Sequence, residues 1–243
     1  MVFQLSTATH QFPSVQLALS EPNGLLAFGG DLSVARLIAA YEHGIFPWYA
    51  EHDPILWWSP NPRTIITPQS LHVSRSMRRL LRKNNVEVTL NHAFSDVIHA
   101  CADVHEAAGR GVWIHPEMIS AYSQLHAHGR AHSVEVWQES KLVGGLYGVS
   151  VGDVFCAESM FHQVSNASKI ALITFAQHFF AAGGQCIDVQ MSNSHTETLG
   201  AHNVAREHYM RFLKPSSSAF CSEFWTVRSL KAPIKECISG ICR

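Results

Sequence analysis

The spacing of hydrophobic residues predicts a series of helices along this chain. Between Val34 and Tyr41, apolar residues recur three or four positions apart, which places them on one face of a helix. Asp31 or Ser33 can cap this helix, and Gly44 can end it. The same spacing predicts four longer helices, over Leu71–Lys83, Ala93–Ala102, His115–His128 and Asn166–Ala181.

Alternating apolar and polar residues predict strands between these helices. One strand lies at Val86–Leu90 and another at Val134–Val136. Lys141–Val149 pairs with Asp153–Ser159 as a hairpin, and Gln185–Met191 follows the last long helix. The resulting order of strand, strand, helix and strand is found at the centre of acyl-transferring folds, where two neighbouring strands separate and admit an acyl donor. The pattern therefore predicts an α+β fold.

The first 62 residues differ in composition from the rest of the chain. Ile45–Pro62 contains four prolines and three tryptophans, and we expect an ordered loop without regular structure there. The α+β pattern begins at Arg63. We therefore predict a small N-terminal domain over residues 1–62 and a second domain over residues 63–243, whose polar tail from about residue 215 is weakly assigned.

Composition narrows the functional classes. The chain has 243 residues, of which 47% are hydrophobic, and its formal net charge is −1. A nucleic-acid partner thus requires a local basic patch. No stretch is long and apolar enough to cross a bilayer, and the N-terminal residues do not resemble a secretory signal. The six cysteines form no Cys-x-x-Cys pair, so we expect buried, reduced thiols and a cytoplasmic location.

The predicted helix at Leu71–Lys83 carries positive charge on one face. At about 100° per residue, Val73, Met77, Leu80 and Leu81 share one arc. Five cations without an acid among them repel one another, which favours binding of a polyanion such as RNA, although a solvated face is the alternative. The five cations are Arg75, Arg78, Arg79, Arg82 and Lys83.

Aromatic and acidic residues supply further candidates. The runs Phe46–Tyr49 and Trp57–Trp58 can stack unpaired bases, or they can form the core of the N-terminal region. Glu158 lies inside an apolar strand, and Asp188 and Gln190 stand two apart on the strand Gln185–Met191, so we expect both to point to one face. A buried carboxylate needs a partner, which can be a ligand or a structural hydrogen bond.

Two kinds of cofactor site are not expected. His126, His128 and His132 cluster in the sequence, and His128 and His132 are four residues apart. Gly129 interrupts the helix between them and no acid completes a His-Glu-x-x-His motif, so we predict no metal site. No Gly-rich turn between Glu158 and Asn166 offers backbone N–H groups to a pyrophosphate. An acyl donor is therefore not expected to be a coenzyme A thioester, and no cofactor is predicted.

The chain resembles the leucyl/phenylalanyl-tRNA–protein transferase family from about residue 3 to residue 213. No single matching run is specific to this family, but the full set of runs in this order is. The matching runs are Glu21–Ala27, Gly29–Ser33, Gly44–Trp48, Trp57–Pro60, Ser74–Met77, His132–Trp137, Gly144–Val149, Phe155–Phe161, Asn166–Lys169 and Asp188–Gln190. Three features depart from the family. Leu146 stands where relatives are expected to have Met, the Val104–Gly111 segment is slightly longer than expected, and the tail matches weakly apart from Phe224–Trp225.

The resemblance implies a fold, a reaction and a set of site residues. The fold would combine a small N-terminal domain with a domain like GCN5-related acetyltransferases, which has a mixed, splayed sheet. The reaction would move Leu or Phe, and Met less well, from aminoacyl-tRNA to acceptor proteins with N-terminal Arg or Lys, marking them for N-degron degradation. By match, Trp48 and Trp113 would contact the 3′-terminal adenosine, and the basic helix would contact the acceptor stem. Leu146, Phe155, Ile187 and Tyr122 would line the side-chain pocket, while Asp188, Gln190 and Glu158 would surround the reacting centre.

Two other functions remain alternatives. A coenzyme A-dependent N-acetyltransferase could use the same fold, although the missing Gly-rich turn argues against it. A non-catalytic RNA-binding module would explain the basic helix and the tryptophans, but it would leave Asp188, Gln190 and Glu158 without a role.

Overall fold

The computed structural model describes residues 1–83, 86–107, 113–214 and 222–231. Within these residues, four short strands form a small N-terminal sheet in the order β1-β2-β4-β3, with β1 parallel to β2 and the other pairs antiparallel. A helix, α1, leaves this sheet, with Ser33 accepting a hydrogen bond from the Arg36 N–H at its start. The bounds are β1 Phe3–Leu5, β2 Leu25–Gly29, α1 Val34–Glu42, β3 Phe46–Pro47 and β4 Leu56–Trp58.

A second, mixed sheet has eight strands in the described residues, in the order β11-β5-β10-β9-β8-β7-β6-β12. Neighbouring strands pair antiparallel except β9 and β10, which run parallel because a long helix, α5 (Ala167–Ala181), connects them. The strands are β5 Arg63–Ile66, β6 Glu87–Leu90, β7 Ala131–Gln138, β8 Lys141–Val151, β9 Val154–His162, β10 Cys186–Asp188, β11 His202–Val204 and β12 Arg228–Leu230.

Helices cover both faces of the large sheet, and each face has its own hydrophobic core. One core joins α3, α4 and one sheet face to residues of the N-terminal sheet and α1, such as Trp57 and Tyr41. The other core packs α2 and α5 against the opposite face. The helices are α2 Arg75–Arg82, α3 Phe94–Ala107, α4 Pro116–Ala127, α5 Ala167–Ala181, α6 Ser194–Glu197 and α7 Arg206–Phe212, and short 3₁₀ turns lie at Val15–Leu17 and Ser222–Trp225.

The structure confirms the predicted α+β class with its small N-terminal sheet and mixed central sheet. The predicted hairpin is β8–β9, and the order of two strands, a helix and a parallel strand is β8-β9-α5-β10. The domain boundary near residue 62 stays a prediction. It lies between β4 and β5.

Several predicted elements differ in extent from the structure. The Ile45–Pro62 segment is not wholly irregular, because β3 and β4 pair within it. The basic helix starts at Arg75 rather than Leu71, since Ser74 caps it and accepts from the Met77 N–H. β10 ends at Asp188 rather than Met191, and α3 extends to Ala107. The remainder of the extended Val104–Gly111 segment lies outside the described residues, as does most of the tail beyond residue 214.

No helix in the described ranges is both long and apolar enough to span a bilayer.

Candidate active site

Strands β9 and β10 separate in the middle of the large sheet. They pair only at the start of β9, where Asp188 at the end of β10 is opposite Cys156. β9 continues to His162, while the chain after Asp188 turns away to contact β5 through Gln190. An opening between the two parallel strands follows, beyond Cys156 on β9 and Asp188 on β10.

Glu158 occupies a β-bulge at this opening. Along the β8–β9 pairing, Tyr147 is opposite Ser159 and Gly148 is opposite Ala157, so Glu158 is the extra residue between two consecutive partners. A bulge leaves one residue outside the regular pairing and redirects its side chain, and bulges are frequent beside active sites. The bulge explains how an otherwise apolar strand can direct the Glu158 carboxylate toward the opening.

The Asp188 carboxylate is buried, and both of its oxygens accept hydrogen bonds. Its two oxygens accept hydrogen bonds from Arg63, at 2.8 Å from Nε and 2.7 Å from Nη2. The Tyr209 hydroxyl donates to the same carboxylate at 2.9 Å, and the Gln190 backbone N–H donates at 2.9 Å. Arg63 is itself buried and also donates to the Gly44 carbonyl at the end of α1. Asp188 therefore neutralises Arg63 and fixes the backbone at Gln190.

Gln190 adopts a left-handed backbone conformation, with a φ of 56°. Its amide Nε2 donates to Glu158 Oε1 at 3.0 Å. Asp188 and Gln190 do lie together, as the sequence predicted, but strand alternation is not the reason, because β10 has already ended. The turn held by the Asp188 carboxylate instead points the amide across the opening to Glu158.

Tyrosines hold the other side of the Glu158 carboxylate. Tyr122, on α4, donates to Glu158 Oε2 at 3.2 Å, and the hydroxyl of Tyr41, on α1, contacts the Tyr122 hydroxyl. Burial raises the pKa of Glu158 to about 7, and the negative charge of Asp188 adds to the rise, while hydrogen bonds from Tyr41 and Tyr122 oppose it. Near neutral pH this carboxyl group can therefore both accept and release a proton.

An apolar patch lies on the opposite face of the sheet. Phe155 and Ile187 are directly paired on β9 and β10, and Leu146 lies on β8. All three are fully buried in the core that contains α5. The Phe155 ring crosses Gly148, where an added Cβ would lie 2.6 Å from Cζ, so the glycine leaves room for the ring. Tyr122 belongs to the other core, beside Glu158, rather than to this patch.

The predicted adenosine contacts lie near one junction. Trp48 is 42% exposed, and the Trp58 indole meets it edge-on at 5.7 Å and donates to its carbonyl at 2.7 Å. The neighbouring Tyr49 packs edge-on against His115 at the start of α4, two residues after the partly buried Trp113. The structure thus brings the N-terminal aromatic loop to the part of the chain that carries Trp113.

The basic helix α2 presents its charges to solvent. Arg75, Arg78, Arg79, Arg82 and Lys83 are all exposed, and within the described part of the chain none of them forms an ion pair. Met77 and Leu81 bury the other side of the helix. Leu80 does not join them: it is 37% exposed, so the apolar arc is narrower than predicted.

Sequence reasoning did not identify three residues that organise the site: Arg63, Tyr209 and Tyr41. The sequence signal for Arg63 was its place two residues before the apolar pair Ile65–Ile66, since a cation in a buried strand needs an anionic partner. Tyr41 was assigned only to the apolar face of α1. Among the described residues, no group of three or more His, Cys, Asp or Glu side chains is arranged to hold a metal ion.

Comparison with known proteins adds independent information. A family model described as leucyl/phenylalanyl-tRNA protein transferase matches residues 65–214, and the model for that family's N-terminal domain matches residues 30–61. Two proteins named leucyl/phenylalanyl-tRNA–protein transferase are similar. The one from Pectobacterium carotovorum subsp. carotovorum (strain PC1) is 57% identical over 87% of this chain and 89% of its own length. The one from Idiomarina loihiensis is 52% identical over 96% and 99%.

A solved structure of a GCN5-related N-acetyltransferase from Kribbella flavida has 14% identity, a TM-score of 0.36, and covers 69% of this chain and 59% of that one. A likeness of that size supports no conclusion about activity. The family models and the relatives of more than 50% identity show that this chain belongs to the leucyl/phenylalanyl-tRNA–protein transferase family, a family of aminoacyltransferases.

Proposed function

We propose that this chain transfers Leu or Phe, and Met less well, from aminoacyl-tRNA to proteins that begin with Arg or Lys. The observation that carries the proposal is the hydrogen-bonded group of Glu158, Gln190 and Asp188 at the opening between β9 and β10. An ester carbonyl placed in this opening would have a proton acceptor on β9 and an amide donor in the turn that follows β10. The family's role in marking acceptors for N-degron degradation accompanies this activity, and we expect it to act in the cytoplasm.

The reaction forms an amide bond and breaks an ester bond. The neutral α-amine of the acceptor attacks the ester carbonyl, the C–O bond to the terminal ribose breaks, and the amine proton must reach the departing ribose oxygen. An α-amine has a pKa of about 7.7–8.0, so part of it is neutral near pH 7.5. Glu158, whose pKa burial raises to about 7, is suited to accept that proton and to deliver it.

Asp188 and Gln190 are assigned to positioning. Arg63, Tyr209 and the Gln190 N–H already occupy the Asp188 oxygens, so we assign this carboxylate to holding the site together. Its contact with the Gln190 backbone fixes the side-chain amide, which cannot titrate but can orient the amine or the ester.

The donor would be recognised in two parts. Leu146, Phe155 and Ile187 form the apolar patch that we assign to the Leu or Phe side chain, and such a patch selects by shape. Trp48 and Trp113 are assigned to the terminal adenosine. The five cations of α2 are assigned to the phosphates of the acceptor stem, where charge gives affinity without reading sequence.

The donor assay tests the proposal directly. A peptide with an N-terminal Arg is incubated with the protein and either leucyl-tRNA or acetyl-coenzyme A, and the product is measured by mass. We expect a mass gain of one leucyl group and no acetylation. Acetylation would establish the acetyltransferase alternative, and tRNA binding without either product would establish the RNA-binding alternative. A peptide that begins with Glu is the matched acceptor control and should remain unmodified.

A further inference from the structure

The C-terminal segment places an indole ring against the aromatic core behind the apolar patch. Trp225 stacks on His132, with ring centroids 3.8 Å apart and an interplanar angle of 11°. It also stacks on Phe155, at 5.8 Å and 28°, and on Phe175 of α5, at 6.0 Å and 29°. The tail is therefore in direct contact with one of the three residues assigned to the aminoacyl side chain.

Hydrogen bonds hold this segment in place. The Asn91 side-chain amide donates to the Trp225 carbonyl at 2.6 Å and lies 3.0 Å from His132 Nδ1. His132 Nε2 lies 3.1 Å from the Ser150 hydroxyl. Shortly after Trp225, β12 pairs with β6 along its whole length. The indole thus has a defined position, since both its own backbone and its stacking partner are fixed to the sheet.

The Phe155 ring has little room to move while the indole is present. On the sheet side it lies across Gly148, and Phe175 contacts it with centroids 4.5 Å apart. The Trp225 indole, stacked on the same ring, blocks movement of the Phe155 ring in a further direction. Protein interiors are closely packed, so removing a ring from such a cluster allows its neighbours to relax into the space. A shift of the Phe155 ring into the space left by the indole would open room beside Ile187, its partner on β10.

We propose that Trp225 determines donor specificity by supporting the Phe155 ring and so setting the depth of the aminoacyl pocket. The inference rests on the proposed function, because it takes the patch of Leu146, Phe155 and Ile187 as that pocket. Trp225 acts through Phe155 and is therefore a positioning residue. It sets an upper limit on side-chain size, so its loss should favour the larger Phe over Leu.

The test compares single-turnover transfer from leucyl-tRNA and phenylalanyl-tRNA to one Arg peptide, for the wild type, Trp225→Ala and Trp137→Ala. Trp137→Ala is the matched control, because that indole instead donates to Thr89 and meets His92 edge-on. A size step of one methylene changes selection by about 10–200-fold. We expect Trp225→Ala to raise the Phe-to-Leu ratio by about 10-fold, with unchanged tRNA affinity, and Trp137→Ala to leave the ratio unchanged.

An equal fall in both rates, with the ratio preserved, would show that Trp225 is only structural and would overturn the inference. If Trp225→Ala does not fold by circular dichroism, Trp225→Phe takes its place. It retains a smaller ring, and we expect a smaller shift in the same direction; an unchanged ratio again overturns the inference. Failure of the proposed function is distinguishable, because the wild type itself would then transfer neither amino acid.

Discussion

Replacing Glu158 by Gln tests the assignment of the proton acceptor. Glutamine has the same shape, and its carbonyl can still accept a hydrogen bond from either Tyr122 or Gln190. It cannot take a proton in the working pH range. General acid–base help is typically worth about 10²–10⁴-fold, so we expect single-turnover transfer to fall by about 10²-fold or more.

The pH dependence gives the sharper result. In the wild type two groups must lose a proton below pH 7, namely the acceptor amine, with a pKa of about 7.7–8.0, and Glu158, with a pKa raised to about 7. The logarithm of the rate should therefore rise with a slope of about 2 per pH unit between pH 5.5 and 6.5. In Glu158→Gln only the amine titrates, and the slope should fall to about 1.

The assay is single-turnover peptide transfer at saturating enzyme, measured from about pH 5.5 to 8.5. Glu117→Gln is the matched control, because Glu117 also accepts a hydrogen bond from a tyrosine, Tyr49 at 3.3 Å, but is exposed. It should keep the slope of 2. A wild-type slope of 1, or a Glu158→Gln rate equal to that of the wild type, would refute the reasoning. The ribose hydroxyl or water would then carry the proton.

Three further predictions concern the Asp188–Arg63 pair, the cations of α2 and the need for a metal. Asp188→Asn should lower the free energy of unfolding by about 3–5 kcal/mol, because it leaves the Arg63 cation buried without its counter-ion; an unchanged urea midpoint would contradict this. Arg78→Ala with Arg82→Ala should flatten the slope of log tRNA affinity against log salt by about 1.4 to 1.8, and an unchanged slope would mean that this face is merely solvated. Chelation, followed by restoring the Mg²⁺ that folds the tRNA, should leave turnover intact, and a loss rescued only by zinc would show a metal requirement.

Local sequence was sufficient for much of the fold. Periodicity located α1, α4, α5 and the β8–β9 hairpin, because each buries a face whose spacing is visible within about a dozen residues. It overestimated α2 and β10. Ser74 starts α2 later than the apolar pattern does, and β10 ends where Asp188 binds Arg63, 125 residues away in the chain. The residues around Arg63 do not indicate that Asp188 is its partner, and those around Asp188 do not indicate Arg63.

The sequence also indicated part of the candidate site by chemical type. A carboxylate inside an apolar strand, an acid two residues before Gln190, and five cations without an acid are all visible in the linear chain. Only the tertiary structure showed what surrounds each carboxylate. Asp188 accepts hydrogen bonds from a buried guanidinium, while Glu158 lies in a bulge beside the Tyr122 hydroxyl, where burial raises its pKa to about 7. The ionisation of a buried group depends on the charges and dipoles packed around it, and long-range packing alone brings those groups together.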